Sequence, residues 1–200
     1  GGLFTLGTAS DGGGSIRIPA GFCGLVGLKA TFGRIPLGPN SQYGNLTVVT
    51  GCVSRSVRDT ARWFDVCNGH DPRDPLSLQR VDGWEAGLGT LASSLRGARV
   101  AFAPAWGNST VSPVMWELLH DAGQHLVDLC GMQRVEADTT LPRMGATWSL
   151  SGNIEVEAQL RDFWPACADQ LTPEIRFGME TAIGRYDSEA PVSYTHLRAH

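Results

Sequence analysis

The run Asp11-Gly12-Gly13-Gly14-Ser15 constrains this chain more than any other stretch. Three consecutive glycines weaken any helix or strand through them, and their freedom of φ suits a sharp turn or close approach of a ligand. Their N–H groups can converge on one point. Apolar Leu3 to Leu6 precedes a glycine-rich turn over Gly7 to Gly14, and Ser15-Ile16-Arg17-Ile18-Pro19 follows it. That order predicts a strand, a tight loop and a short helix. A serine between the loop and the helix sits where the helix dipole favours developing negative charge, so one loop can carry both a nucleophile and an oxyanion hole. Phosphate binding fits less well, because no Gly-Lys-Ser or Gly-Lys-Thr follows and no GxGxxG is present. A glycine turn that only joins two elements stays open on composition alone.

The rest of the chain reads as alternating strands and helices, an α/β class. Gly24 to Thr31 suggests a buried strand, and Phe32 to Thr47 a long loop punctuated by Gly33, Pro36, Gly38, Pro39 and Asn40. Ser56 with Asp59 reads as a helix N-cap, with Val57, Ala61 and Phe64 at helical spacing and a stop at Asn68-Gly69. Asp71 to Leu76 is a proline-rich turn, and Ala98 to Ala103 a strand closed by Pro104. Ser112-Pro113 opens a helix whose apolar side is predicted as Val114, Leu118, Ala122, Leu126 and Leu129. Leu150 to Ala168 and Pro173 to Ile183 read as further helices.

Charge and thiols narrow the partners. Sixteen Lys plus Arg against 20 Asp plus Glu give a net charge of -4, interspersed without a basic stripe, so nucleic acid is not an expected partner. The absence of a long apolar run argues against a membrane-spanning helix. Only Lys29 is a lysine, so a lysine-dependent mechanism must use it or a residue outside this chain. The five cysteines, Cys23, Cys52, Cys67, Cys130 and Cys167, are odd in number and widely spaced. They suggest buried free thiols in a reducing, cytoplasmic setting and argue against a disulfide framework or zinc site. Neither a cofactor nor a metal is expected.

The longer string from Asp11 to Pro36, DGGGSIRIPAGFCGLVGLKATFGRIP, resembles the amidase signature family. That family's pattern is Gly-Gly-Ser-x-Arg-x-Pro-Ala, followed by Cys-Gly, Gly-Leu-Lys and Gly-Arg-Val-Pro. Cys23-Gly24, Gly27-Leu28-Lys29 and Gly33-Arg34 agree, and Ser54 to Ala61 resembles the family's next helix. The resemblance implies a mixed sheet flanked on both sides by helices, of which this chain would supply part. It also implies hydrolysis of a carboxylic amide through a Ser, cis-Ser, Lys triad. Ser15 matches the acylated serine. The backbone N–H groups of Gly12, Gly13, Gly14 and Ser15 match the oxyanion hole, and Asp11 with Arg17 matches a supporting pair. The family's cis-serine lies about two dozen residues before the nucleophile and its lysine further upstream, so both would precede Gly1. Lys29 matches the structural Gly-Leu-Lys position, and Ser10 does not match the cis-serine motif. By this resemblance residues 1–191 form part of one amidase domain, with the nucleophile loop and core in 1–69 and a continuation in 70–191.

The resemblance implies a small amide substrate and is compatible with a homo-oligomer. The A subunit of glutamyl-tRNA(Gln) amidotransferase is an alternative, as is a non-catalytic relative. That subunit's Ser-Leu-Asp-Gln stretch is replaced here by Tyr43 to Cys52, which ranks it lower. Cys52 stands where the family usually has proline. The loop Asn40 to Asn45 is a candidate substrate border, weighed against a plain surface loop. Cys23 is expected as a buried thiol, and Trp63, Trp116, Trp148 and Trp164 as core. Trp148 and Phe163 are weaker candidates for an acyl pocket. His120 and His125 are five apart and share no face. The last nine residues, Val192 to His200, resemble the translation of a transposon-derived sequencing adapter and are set aside. The pair His196 and His200 goes with them, and the charge becomes 15 minus 20, or -5.

Overall fold

A computed structural model describes residues 2–38, 47–103, 109–142 and 145–184. The loop Asn40 to Asn45, Pro104 and the tail from Val192 lie outside the described residues. The chain forms two compact units, residues 1–140 and 141–200, so the continuation expected from residue 70 is shared between them.

The first unit is built on a three-stranded antiparallel sheet in the order β1-β3-β2, with β1 Leu6–Asp11, β2 Val26–Leu28 and β3 Val49–Ser54. The strand expected over Leu3 to Leu6 thus lies further on, inside the segment read as a glycine-rich turn. Pairing decides this: β1 runs from Leu6 opposite Ser54 to Asp11 opposite Val49, while Leu3 and Phe4 stay exposed. A strand exists where a partner completes its ladder, and the Val- and Thr-rich β3 is that partner here. The Gly24 to Thr31 strand shrinks to Val26–Leu28 and is only partly buried.

Alternation of side chains across β3 positions two helices. Cys52 points to one face and joins Trp63, Phe64, Ala30 and Ile35 in the core, with Leu6 and Cys67 packed against it. Helix α2, Val57–Cys67, supplies this layer and begins as expected: Ser56 Oγ accepts from the Asp59 N–H at 3.1 Å. Gly51 points to the other face, where a Cβ would lie 2.8 Å from Ile16 Cδ1. A Cβ on Gly27 would lie 2.5 Å from Ala20 Cβ. These two glycines let helix α1, Arg17–Cys23, press directly on the sheet. The helices therefore cover opposite faces. Cys23 is exposed rather than buried, because α1 meets the sheet through Ala20 and Cys23 follows that contact at the helix end.

Further along, a two-stranded parallel sheet pairs β4, Arg99–Val100, with β5, Gln133–Arg134. Helix α3, Pro113–Cys130, has proline in its first turn as predicted. Its buried positions differ from the predicted side: Val127 and Cys130 are buried, whereas Val114, Leu118, Leu126 and Leu129 are exposed. Fit outranks apolarity here. The stripe that includes Gly123 is used, with Phe102 so close that a Cβ on Gly123 would lie 3.0 Å from its ring.

The second unit holds α4, Gly145–Leu160, and α5, Pro173–Ala182. Helix α4 ends well before Ala168, and short 3-10 turns at Arg161–Phe163 and Ala168–Gln170 follow. Pro165 explains the break, since proline lacks the N–H and restricts the residue before it. Trp148, expected as core, is exposed, Trp164 is only partly buried, and Phe163 is exposed as well. Among the described residues no helix is long and apolar enough to cross a membrane.

Candidate active site

The last residue of β1, Asp11, is fully buried and organises everything after it. Its Oδ1 accepts from the Gly14 N–H at 2.8 Å and from Arg17 Nη2 at 2.9 Å. Its Oδ2 accepts from Arg17 Nε at 2.9 Å and from the N–H groups of Ile16 at 3.3 Å and Arg17 at 3.4 Å. A buried carboxylate needs such partners to stay ionised. The Arg17 guanidinium, followed by these backbone donors, holds the Asp11 carboxyl far below its usual range against the opposing effect of burial. Arg17 is correspondingly raised, mainly by its hydrogen bonds to Asp11. The loop is thus wrapped around one anion, and its shape is set before any ligand arrives.

Gly14 turns the chain at φ 123°, a conformation open to glycine and costly for other residues. The turn directs the Gly14 N–H, one of the four donors expected for an oxyanion, onto Asp11. The N–H groups of Gly12, Gly13 and Ser15 donate no hydrogen bond among the described residues. Gly13 and Ser15 are exposed, and Gly12 is partly so. Ile16, next in sequence, is fully buried beneath them. The loop therefore presents a hydroxyl and three free donors on a rigid base.

The remaining sequence candidates fall elsewhere. Lys29 Nζ donates to the Ala30 carbonyl at 3.0 Å beyond the end of β2. Ser10 lies within β1 opposite Thr50. Cys52 is buried in the core, and burial pushes its thiol up. His120 sits between rings, 5.2 Å from Phe102 and 5.8 Å from Trp116, while His125 is exposed. Among the described residues no group of three His, Cys, Asp or Glu is placed to hold a metal.

Sequence reasoning missed two neighbours of the loop. A Cβ on Gly12 would lie 2.9 Å from Val48 Cγ2, and one on Gly14 would lie 2.6 Å from Ile18 Cδ1. Ile18 was visible within the motif. Val48 lies more than thirty residues on and reaches Gly12 only because β3 pairs with β1.

Comparison with known proteins adds to this geometry. The family model described as Amidase matches residues 1–162. The chain is 47% identical over 105 residues to the A subunit of the glutamyl-tRNA(Gln) amidotransferase of Oleidesulfovibrio alaskensis, covering 52% of this chain and 21% of that protein. It is 38% identical over 138 residues to an acylamidase of Rhodococcus erythropolis, covering 68% of this chain and 28% of that protein. The chain thus spans about a fifth to a third of such relatives. Among solved structures, a bacterial aryl acylamidase of the amidase signature family superposes with a TM-score of 0.79 at 21% identity, covering 92% of this chain and 40% of that one. The peptide amidase of Stenotrophomonas maltophilia gives 0.69 at 22% identity, covering 98% and 44%. At that identity the likeness is one of fold.

Proposed function

The chain belongs to the amidase signature family, and from that premise we propose that the whole protein hydrolyses a carboxylic amide C–N bond through an acyl-serine on Ser15. One observation carries the reading: an exposed Ser15 hydroxyl stands on a loop whose free N–H groups are held in place by the buried Asp11 carboxylate. The Ser15 oxygen would attack the amide carbon. The oxyanion would be held by the N–H groups of Gly12, Gly13 and Ser15, with Gly14 shaping the loop through Asp11. Collapse breaks the C–N bond, the amine leaves with a proton, and water then cleaves the ester to carboxylate and Ser15.

A serine hydroxyl needs a base. Ser15 Oγ makes no hydrogen bond among the described residues, and Lys29 is held at Ala30. We assign proton transfer to a cis-serine and a lysine outside this chain, as the family resemblance implies. The chain is read as part of one amidase domain, acting in the cytoplasm on a small amide without cofactor or metal. Its five free cysteines suit a reducing compartment.

The test is an amide panel with the whole protein. Turnover is expected, with loss of at least about a thousandfold in Ser15→Ala, and mass spectrometry should find the trapped acyl group on the peptide containing Ser15. Full activity in Ser15→Ala overturns the assignment. The amidotransferase component is the second reading, favoured by the 47% identity to such a protein. Glutamine-dependent ammonia release that appears only with partner subunits would establish it instead.

A further inference from the structure

The apolar surroundings of the nucleophile loop carry information about the substrate. Val48 precedes β3, whose first residue Val49 is buried and pairs with Asp11. That pairing sets Val48 beside Gly12, with Cγ2 2.9 Å from where a Gly12 Cβ would be. The valine side chain therefore occupies the space that a side chain at residue 12 would take. It remains 41% exposed, so part of its isopropyl group faces outward next to the loop. Ile18 flanks the loop at Gly14 in the same way and is 57% exposed. The loop's own cation is engaged, because Arg17 is bound through two donors to Asp11.

We propose that Val48 is a specificity-determining residue, its exposed methyl groups selecting amides that carry an alkyl or aryl group beside the scissile carbonyl. This rests on the amidase reading above. An oxygen held by the Gly12 N–H lies about 3 Å from that nitrogen, and the substituent on the carbonyl carbon is two bonds from that oxygen. Val48 supplies the side-chain atom nearest to where a Gly12 Cβ would lie and offers only hydrocarbon there. A charged or strongly polar acyl group there would lose hydration with nothing to replace it, whereas an apolar group gains about fourfold per buried methylene.

The experiment compares kcat/KM of the whole enzyme for benzamide, butyramide, acetamide and glutamine in wild type, Val48→Thr and Val48→Ala. Threonine keeps the shape of valine but replaces the methyl against Gly12 by a hydroxyl, which makes that contact polar. The expected result is a wild-type preference for benzamide and butyramide over acetamide and glutamine. Val48→Thr should reduce that preference about fivefold through KM with kcat unchanged, at an unaltered urea midpoint. If Val48 is only a spacer, Val48→Thr leaves every ratio unchanged and Val48→Ala lowers all four substrates together, which overturns the proposal. A wild type that prefers glutamine overturns it as well. A wild type that hydrolyses none of the four refutes the amidase reading and this inference together, so the two failures are distinguishable.

Discussion

Replacing Asp11 by asparagine tests whether one carboxylate holds the nucleophile loop. Asparagine keeps the size and one acceptor oxygen, which can still serve the Gly14 N–H. Its amide nitrogen, however, must then face donors on Arg17 and Ile16, which now bind Oδ2 at 2.9 Å and 3.3 Å. Removing one partner of a buried ion pair costs about 3–5 kcal/mol. The Arg17 side chain is 52% exposed and can return to water, which places the change at the lower end, about 3 kcal/mol. With a urea slope near 2 kcal/mol/M the midpoint should fall by about 1.5 M. Hydrogen exchange over residues 11–20 should accelerate in parallel, because the Ile16 and Arg17 amides lose their acceptor. Arg17→Met should cost less, about 1–2 kcal/mol, since three backbone N–H groups still reach the Asp11 carboxylate. A midpoint for Asp11→Asn within 0.5 M of wild type, or a larger loss in Arg17→Met than in Asp11→Asn, would show that the loop is held by something else.

Two further outcomes follow from the same structure. Because Asp11 titrates below its unfolded value, its contribution to stability is present above about pH 4 and is lost as the pH falls from there. The stability gap between wild type and Asp11→Asn should therefore be constant from pH 5 to 8 and narrow below about pH 4; a gap that widens on acidification contradicts the assignment. Ser56→Ala removes both the cap to the Asp59 N–H and the 2.7 Å hydrogen bond to its carboxylate. It should cost about 1 kcal/mol in chemical denaturation while leaving amide turnover by the whole protein unchanged.

Local chemistry was legible in the sequence wherever it depends on neighbours along the chain. Three glycines before Ser15 predicted a turn, Asp11 and Arg17 lie within one loop of each other, and Ser56 with Asp59 is an N-cap pattern that needs no tertiary partner. Each involves residues a few positions apart, so the interaction is fixed by bond geometry and side-chain reach. What required a distant partner was not legible. Leu6–Asp11 became a strand because β3 lies against it, although Leu3 to Leu6 is the more apolar stretch. Nothing in the sequence shows what Gly51 and Gly27 are close to, yet their missing side chains let α1 rest on the sheet. Helix α3 buried the side that fits Phe102 and left its leucines outside.

The same division runs through the site. The residue types on which the acyl-transfer proposal rests lie together in the sequence of one loop. Tertiary structure decided that the Gly14 N–H turns inward to Asp11 while those of Gly12, Gly13 and Ser15 donate no hydrogen bond among the described residues, and that Val48 stands beside Gly12. A donor's direction depends on the φ of its residue and on what the folded chain places opposite, and a wall residue depends on strand register. Both are set by packing across the sheet.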